Sequence, residues 1–185
     1  MPELPPDRSA IGVRRTGKRR IPVVIRTLAG RAPFQLAFVV HDLETAAQRF
    51  EAVLGAGPWL GYLFDETTVG GRLYHGRPAD WSVRLALNST DPQYELIQPI
   101  EGPSIHAEWL EQRGEGFHHV AYVVESLDAV VAEMLDAGHM PVMEVHSFGV
   151  DGDGRGVYFD TVDAIGCFVE AVEPPARMPH PHFAL

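Results

Sequence analysis

The stretch "FQLAFVVHDLETAAQRF", Phe34 to Phe50, has an echo in "HHVAYVVESLDAVVAEM", His118 to Met134, 84 residues later. Ala37 meets Ala121, Val39 and Val40 meet Val123 and Val124, and Leu43 meets Leu127. Phe38 faces Tyr122, and Phe50 faces Met134. Each copy begins with a short run of β-branched and aromatic residues, which reads as a strand. Each continues at once as a helix, with Asp42 or Ser126 as a natural N-cap. Leu43, Ala46, Ala47, Phe50 and Leu54 recur at helical spacing on one face, as do Leu127, Val130, Val131, Met134 and Leu135. Gly55 and Gly138 are placed to stop the two helices. The chain therefore carries two copies of one supersecondary unit.

Working outward, "YELIQP" (Tyr94 to Pro99) resembles "VEAVEP" (Val169 to Pro174). Each is a short strand with a glutamate second and a proline last. Between helix and closing strand lie "WLGYLF" and "WSVRLALNS" in the first copy, and "PVMEVHSF" and "RGVYFDT" in the second. The reading is an α+β protein of two βαβββ modules, one over about 33–99 and one over about 117–174. A connecting helix over about 104–113, capped by Ser104 and stopped by Gly114, joins them. Residues 1–32 read as a basic arm, flexible or clasping a partner, and 175–185 as a loose tail that includes His180 and His182.

Composition bounds the function classes. At 185 residues, 45% of them hydrophobic and 22% charged, the chain is an ordinary globular domain. Its single cysteine, Cys167, excludes an internal disulfide framework and suits the cytoplasm. No apolar run is long enough to span a bilayer. Up to Pro33 the charge is +6, which against a net −10 leaves −16 on the body. Such a body is a poor partner for nucleic acid or an anionic membrane, and the arm lacks the aromatic residues of a single-strand binder. A small-molecule ligand and a homodimer are the expected partners.

Side chains alternate faces along a strand. Phe34, Leu36, Phe38 and Val40 share the face expected to pack on the helices, leaving Gln35, Ala37 and Val39 on the other. The repeat assigns His118, Val120 and Tyr122 to the packed face, and His119, Ala121 and Val123 to the opposite one. His119 thus corresponds to Gln35, while His118 starts the packed face and reads as a packing, capping or edge neighbour. Glu95 and Glu170 occupy equivalent places in the closing strands. Taken singly, each polar residue is explained by an ordinary hydrogen bond or by solvation. Burying all four without partners would cost roughly 1–3 kcal/mol each, which makes them joint candidates for one site.

The segments "YELIQPIEGPS…WLEQRGEGFHHVAYVV" and "GRGVYFDT…GCFVEAVEP" resemble the vicinal oxygen chelate superfamily, the glyoxalase/bleomycin-resistance/dioxygenase fold. The similarity runs from about Pro33 to Pro174 and is nearest to the methylmalonyl-CoA epimerase and glyoxalase I branch. It implies that the modules form one cupped, barrel-like cavity. It also implies one divalent metal ion (Zn, Co, Ni, Mn or Mg) held by Gln35, Glu95, His119 and Glu170. The ligand types suit a fairly hard ion. Such an ion polarises a carbonyl, and Glu170 or Glu95 is the base for the proton beside it. The expected activity is that of an isomerase, epimerase or glyoxalase-type lyase acting on a small metabolite or thioester. A non-catalytic drug- or metabolite-binding protein of this fold is the alternative. An iron-dependent ring-cleaving dioxygenase ranks last, because Gln35 stands where such enzymes carry a histidine.

One departure concerns the substrate. Epimerases of this branch carry a further glutamate in the first module in an "EQG"-like context. Here the region reads "FDETTVGGRLYHGRPADWS", where Glu66 matches poorly, which counts against methylmalonyl-CoA itself. Tyr74 and Arg77 in this segment, and Arg155 in "GDGRG", are the candidate substrate contacts. A solvated hairpin and a Gly/Asp turn are the competing explanations for them.

Overall fold

The computed structural model describes residues 24–185. In chain order the first module is β1 (Gln35–Val39), α1 (Leu43–Leu54), β2 (Leu60–Phe64), β3 (Gly71–Tyr74), β4 (Arg77–Pro78), β5 (Ser82–Leu87) and β6 (Gln93–Glu101). Helix α2 (Ile105–Arg113) connects it to β7 (Gly116–Val123), α3 (Leu127–Ala137), β8 (Pro141–Phe148), β9 (Gly154–Phe159), the short α4 (Val162–Ile165) and β10 (Phe168–Glu173). A last short strand, β11 (Phe183–Ala184), closes the chain. No described helix is long and apolar enough to cross a membrane.

The helix ends follow the capping chemistry. Thr45 N–H donates to Asp42 Oδ1 at 2.7 Å, Ala107 N–H to Ser104 Oγ at 3.1 Å and Ala129 N–H to Ser126 Oγ at 3.3 Å. Each such cap contributes about 1 kcal/mol. Gly55 (φ 65°) and Gly138 (φ 91°) end α1 and α3 in the left-handed conformation, which a side chain would oppose. Leu54 and Leu135, expected on the buried faces, are instead 56% and 42% exposed. Leu54 is the last residue of α1, and Leu135 turns away from the stripe that buries Met134 beside it.

All strands belong to one mixed sheet in the order β11-β2-β5-β6-β1-β7-β10-β9-β8-β3-β4, curled into a half-barrel. Within it, β2-β5-β6-β1 mirrors β8-β9-β10-β7, and the antiparallel β1–β7 pair is the seam. In each half the first strand runs parallel to the last, β1 with β6 and β7 with β10. α1 covers the outer face of the first module through Leu43, Ala46 and Ala47, packed with Leu96 and Ala86. α3 covers the second through Leu127, Val130 and Met134, packed with Phe159 and Ala171. Burying one such leucine fully contributes about 1.5–3 kcal/mol. A third cluster, including Val39, Trp81, Ile97, Met143 and Tyr158, lines the concave side.

Three segments depart from the two-module plan. The "YHGR" hairpin is not simply solvated: β3 leaves its own module and pairs with β8 of the other. Its two-residue turn has His75 at φ 48° and Gly76 at φ 71°, the positive values that a tight hairpin demands. The tail is not loose. It crosses to the first module, where β11 pairs with β2 and Leu63 N–H donates to His182 Nδ1 at 2.9 Å. A loose end would leave the edge of β2 unpaired, and covering it satisfies those backbone groups. Of the basic arm, residues 1–23 lie outside the described residues. The remainder packs Ile25 and Leu28 onto the α3 cluster, and Thr27 bonds Glu133.

Candidate metal centre

The sheet register assembles the site. Gln35 and Ala37 of β1 stand beside Gln93 and Glu95 of β6, while His119 and Ala121 of β7 stand beside Phe168 and Glu170 of β10. Ala37 also faces His119 across the seam. Ala37 and Ala121 are fully buried, and their small side chains leave space for the carboxylates next to them. On β9, Gly156 serves the same purpose, since a Cβ there would lie 2.9 Å from Glu170 Oε1.

The structure brings Glu95, His119 and Glu170 together. One ligand atom from each lies within 4.8 Å of the others, and all three side chains are buried. His119 Nε2 is 3.1 Å from Glu170 Oε2 and 3.4 Å from Glu95 Oε2. Yet His119 Nε2 and Glu95 Oε2 both lack a hydrogen bond of acceptable angle. Buried polar atoms without partners are costly, and these face one another. Donors that share an ion at about 2.1 Å lie roughly 3–3.4 Å apart, and both carboxylate spacings to His119 fall in that range. Gln35 lines the same cavity, and its Nε2 donates to Gln93 Oε1 at 2.8 Å, leaving its own oxygen out of that bond.

The protonation states follow from burial and neighbours. Burial pulls the His119 pKa down, but Glu170 and Glu95 outweigh it and raise it to about 9. Burial, opposed by His119 and aided by Glu170, raises Glu95. Burial and then His119 lower His106 to about 3, and burial with His106 and His119 holds His118 well below its ordinary value. Burial and then the two carboxylates push the Tyr158 hydroxyl well above its ordinary value. In the absence of a metal ion, a proton on His119 is the positive charge between the carboxylates.

His118 is a packing neighbour, as expected, and it also touches the His119 ring. The β1–β7 pairing slips after Ala37, which faces His119, to Phe38, which faces Phe117. His118 is the unpaired residue of a β-bulge, so strict alternation fails at this point. It is fully buried, with ring centroids 4.7 Å from His106, 5.3 Å from Trp109 and 4.9 Å from Phe168. Its Nδ1 lies 2.9 Å from His119 Nδ1. If His119 Nδ1–H donates and neutral His118 accepts, His119 Nε2 presents its lone pair to the cation position. Metal-binding histidines are oriented in this way by an outer partner.

The other candidates lie elsewhere. Tyr74 bonds Glu108, Arg77 is exposed, and none of Tyr74, Arg77 and Arg155 lines the cavity. Arg155 donates to Glu173 Oε2 at 2.6 and 2.9 Å on the outer side near α3. The turn that precedes it starts a strand whose odd positions face away from the cavity. Glu66 pairs with Arg72 at 3.9 Å and is exposed. Sequence reasoning missed His106, Gln93 and Tyr158, all of which line the cavity. A histidine beside the cap of a short polar helix was the available signal for His106, whereas Tyr158 reads as ordinary core.

Residues 34–159 match the model of the glyoxalase/bleomycin resistance protein/dioxygenase superfamily. The chain belongs to that superfamily. The matched span ends before β10, so Glu170 lies beyond it. No curated protein matches the chain. Among solved structures, this superfamily member is similar to methylmalonyl-CoA epimerase from Mycobacterium tuberculosis, at 25% identity and TM-score 0.54, over 76% of this chain and 86% of that one. It is also similar to a Streptomyces coelicolor methylmalonyl-CoA epimerase variant in complex with 2-nitronate-propionyl-CoA (22%, 0.55, 78% and 95%). A third is a hypothetical protein from Bacillus halodurans (19%, 0.56, 80% and 98%). The epimerases stand in the branch that the motifs resemble.

Proposed function

We propose that the protein is a divalent-metal-dependent isomerase, epimerase or glyoxalase-type lyase that removes the proton beside a carbonyl. The observation that carries this reading is His119 Nε2, buried and unbonded between the Glu95 and Glu170 carboxylates. Gln35, Glu95, His119 and Glu170 would hold the ion, and the two carboxylates balance its charge. When bound, Zn, Co, Ni, Mn or Mg supplies Lewis acidity to a substrate carbonyl. Glu95 and Glu170 rise from different modules and are the two candidate bases. Burial raises Glu95, which strengthens it as a proton acceptor. A carboxylate on each side of the substrate permits removal from one face and return to the other, while one shuttling carboxylate suffices for an isomerising lyase. The buried setting strengthens the electrostatic contacts around the reacting carbonyl. The likeness to methylmalonyl-CoA epimerase supports proton transfer beside a carbonyl. The reading includes a cytoplasmic homodimer, which sedimentation of the metal-loaded protein tests.

The deciding experiment is metal analysis followed by solvent deuterium exchange into ketones, hydroxyketones and acyl thioesters. Metal-dependent exchange that Glu170→Gln or Glu95→Gln reduces at least about 100-fold supports the reading. A folded wild type that takes up none of these ions overturns it. Tight ligand binding without exchange points to a binding protein of the same fold.

A further inference from the structure

The cavity in front of the centre has a volume of about 220 Å³. Trp81, Leu85 and Phe64 wall it from the first module, and Met143, Val145 and Phe148 from the second. Pro175 and Met178 of the folded-back tail complete the wall. Apart from Tyr62, its polar groups belong to β1, β6, α2, β9 and β10 around His119. Among the described residues, no arginine lines it.

The arginines carried by β3, β5, β9 and the tail are already engaged. Arg72 lies over the Trp81 ring, 5.9 Å from its centroid, and bonds the Trp81 carbonyl and Asp80. Arg84 is bound to Glu44, Arg155 to Glu173 and Arg177 to Asp151. A divalent ion held by two carboxylates has its charge matched, so a further anionic group on a ligand would be buried without a counter-charge. Burying an unpaired charge is strongly unfavourable, whereas apolar bulk gains from the same wall.

We infer that the site selects a neutral carbonyl compound whose remaining bulk is apolar, branched or aromatic, and which carries no acidic group on the portion inside the cavity. The inference rests on the carbonyl reading above and names its substrate class. A cavity of about 150 Å³ accepts benzene, so the space suits a substituted ring or a short branched acyl group. A thioester carrier can extend out of the cavity, but a malonyl-type acyl group places its carboxylate against the wall. The chain thus differs from the methylmalonyl-CoA epimerases that it resembles in fold, in keeping with the position of Glu66 outside the cavity.

The test uses the full metal-loaded chain and two matched ligand pairs. Isobutyryl-CoA and methylmalonyl-CoA differ by methyl against carboxylate, and 1-phenylpropan-2-one is compared with its ring para-carboxylate. Calorimetry gives each Kd, and Trp fluorescence reports occupancy beside Trp81. Each neutral ligand should bind at least about tenfold tighter than its anionic partner. Equal binding, a preference for the anion, or failure of both neutral ligands to bind overturns the inference. Met178→Arg places a cation at a position 41% exposed and therefore tolerant of charge. It should shrink the ratio, and an unchanged ratio in the folded variant overturns the assignment of the wall. Titrating metal into ligand-free protein is read separately. Absence of metal uptake sinks the proposed function, while the ligand ratio in metal-free protein still decides the selectivity of the cavity.

Discussion

The two modules share a backbone plan but not an environment at corresponding positions. In the first, Gln35 is backed by one amide, Gln93. In the second, the matching His119 is backed by His118, which is itself packed against His106, Trp109 and Phe168. The bulge that creates this difference is in β7 alone of the seam pair. The connecting helix supplies the rest by placing His106 and Trp109 against that strand. Duplication thus provides two symmetric carboxylates, and asymmetry around them provides one strongly oriented nitrogen.

The sharpest way to break this comparison is to remove the two corresponding residues. His119→Ala should abolish metal uptake, measured by calorimetry and metal analysis, while Gln35→Ala should weaken it only about tenfold. Equal losses would mean that the modules contribute alike. His118→Phe keeps the bulk but removes the acceptor, and should weaken metal binding about 10–100-fold. His118→Gln should restore part of it, and the nitrogen chemical shifts of His119 should report loss of the fixed tautomer in the Phe variant. Unchanged shifts would reduce His118 to packing.

A smaller effect is expected on stability. His106 has a pKa of about 3 in the fold, from burial and then His119, against an ordinary 6.5. Between those pH values the unfolded chain binds a proton that the native chain does not, so stability falls as pH falls. The slope from this one group is up to about 1.4 kcal/mol per pH unit. Denaturant titrations of metal-free protein should show a flatter dependence in His106→Phe over that window. Arg155→Ala should have the least effect. Its half-exposed pair with Glu173 contributes about 1 kcal/mol or less, and ligand affinity should not change because the residue does not line the cavity. A loss of affinity would restore it to the substrate site.

Much of this architecture was legible in the chain. Helix caps, glycine stops and strand runs are local, and the repeat made each half a check on the other. The same repeat brought Gln35, Glu95, His119 and Glu170 forward, because equivalent positions in a duplicated unit face a common axis. What alternation could not supply was the bulge, since an extra residue in one strand depends on its partner's register. Hence His118 read as a packing or capping neighbour, and its contact with the His119 ring came only from the structure. Tyr74, Arg77 and Arg155 lie off the cavity lining: they are polar in polar turns, and only the sheet order reveals which side of the wall they occupy.

By itself the sequence determined the two modules, the strand that opens each and the polar set that the duplicated positions share. Periodicity and capping act over a few residues and need no knowledge of what lies across the fold. The tertiary structure alone decided the crossing of β3 to the other module, the tail folded over β2, the three-histidine packing and a cavity wall that, among the described residues, carries no cation. These are contacts between residues far apart in the chain. They follow from which edges need pairing and which buried atoms need partners, and those demands exist only once the sheet has closed.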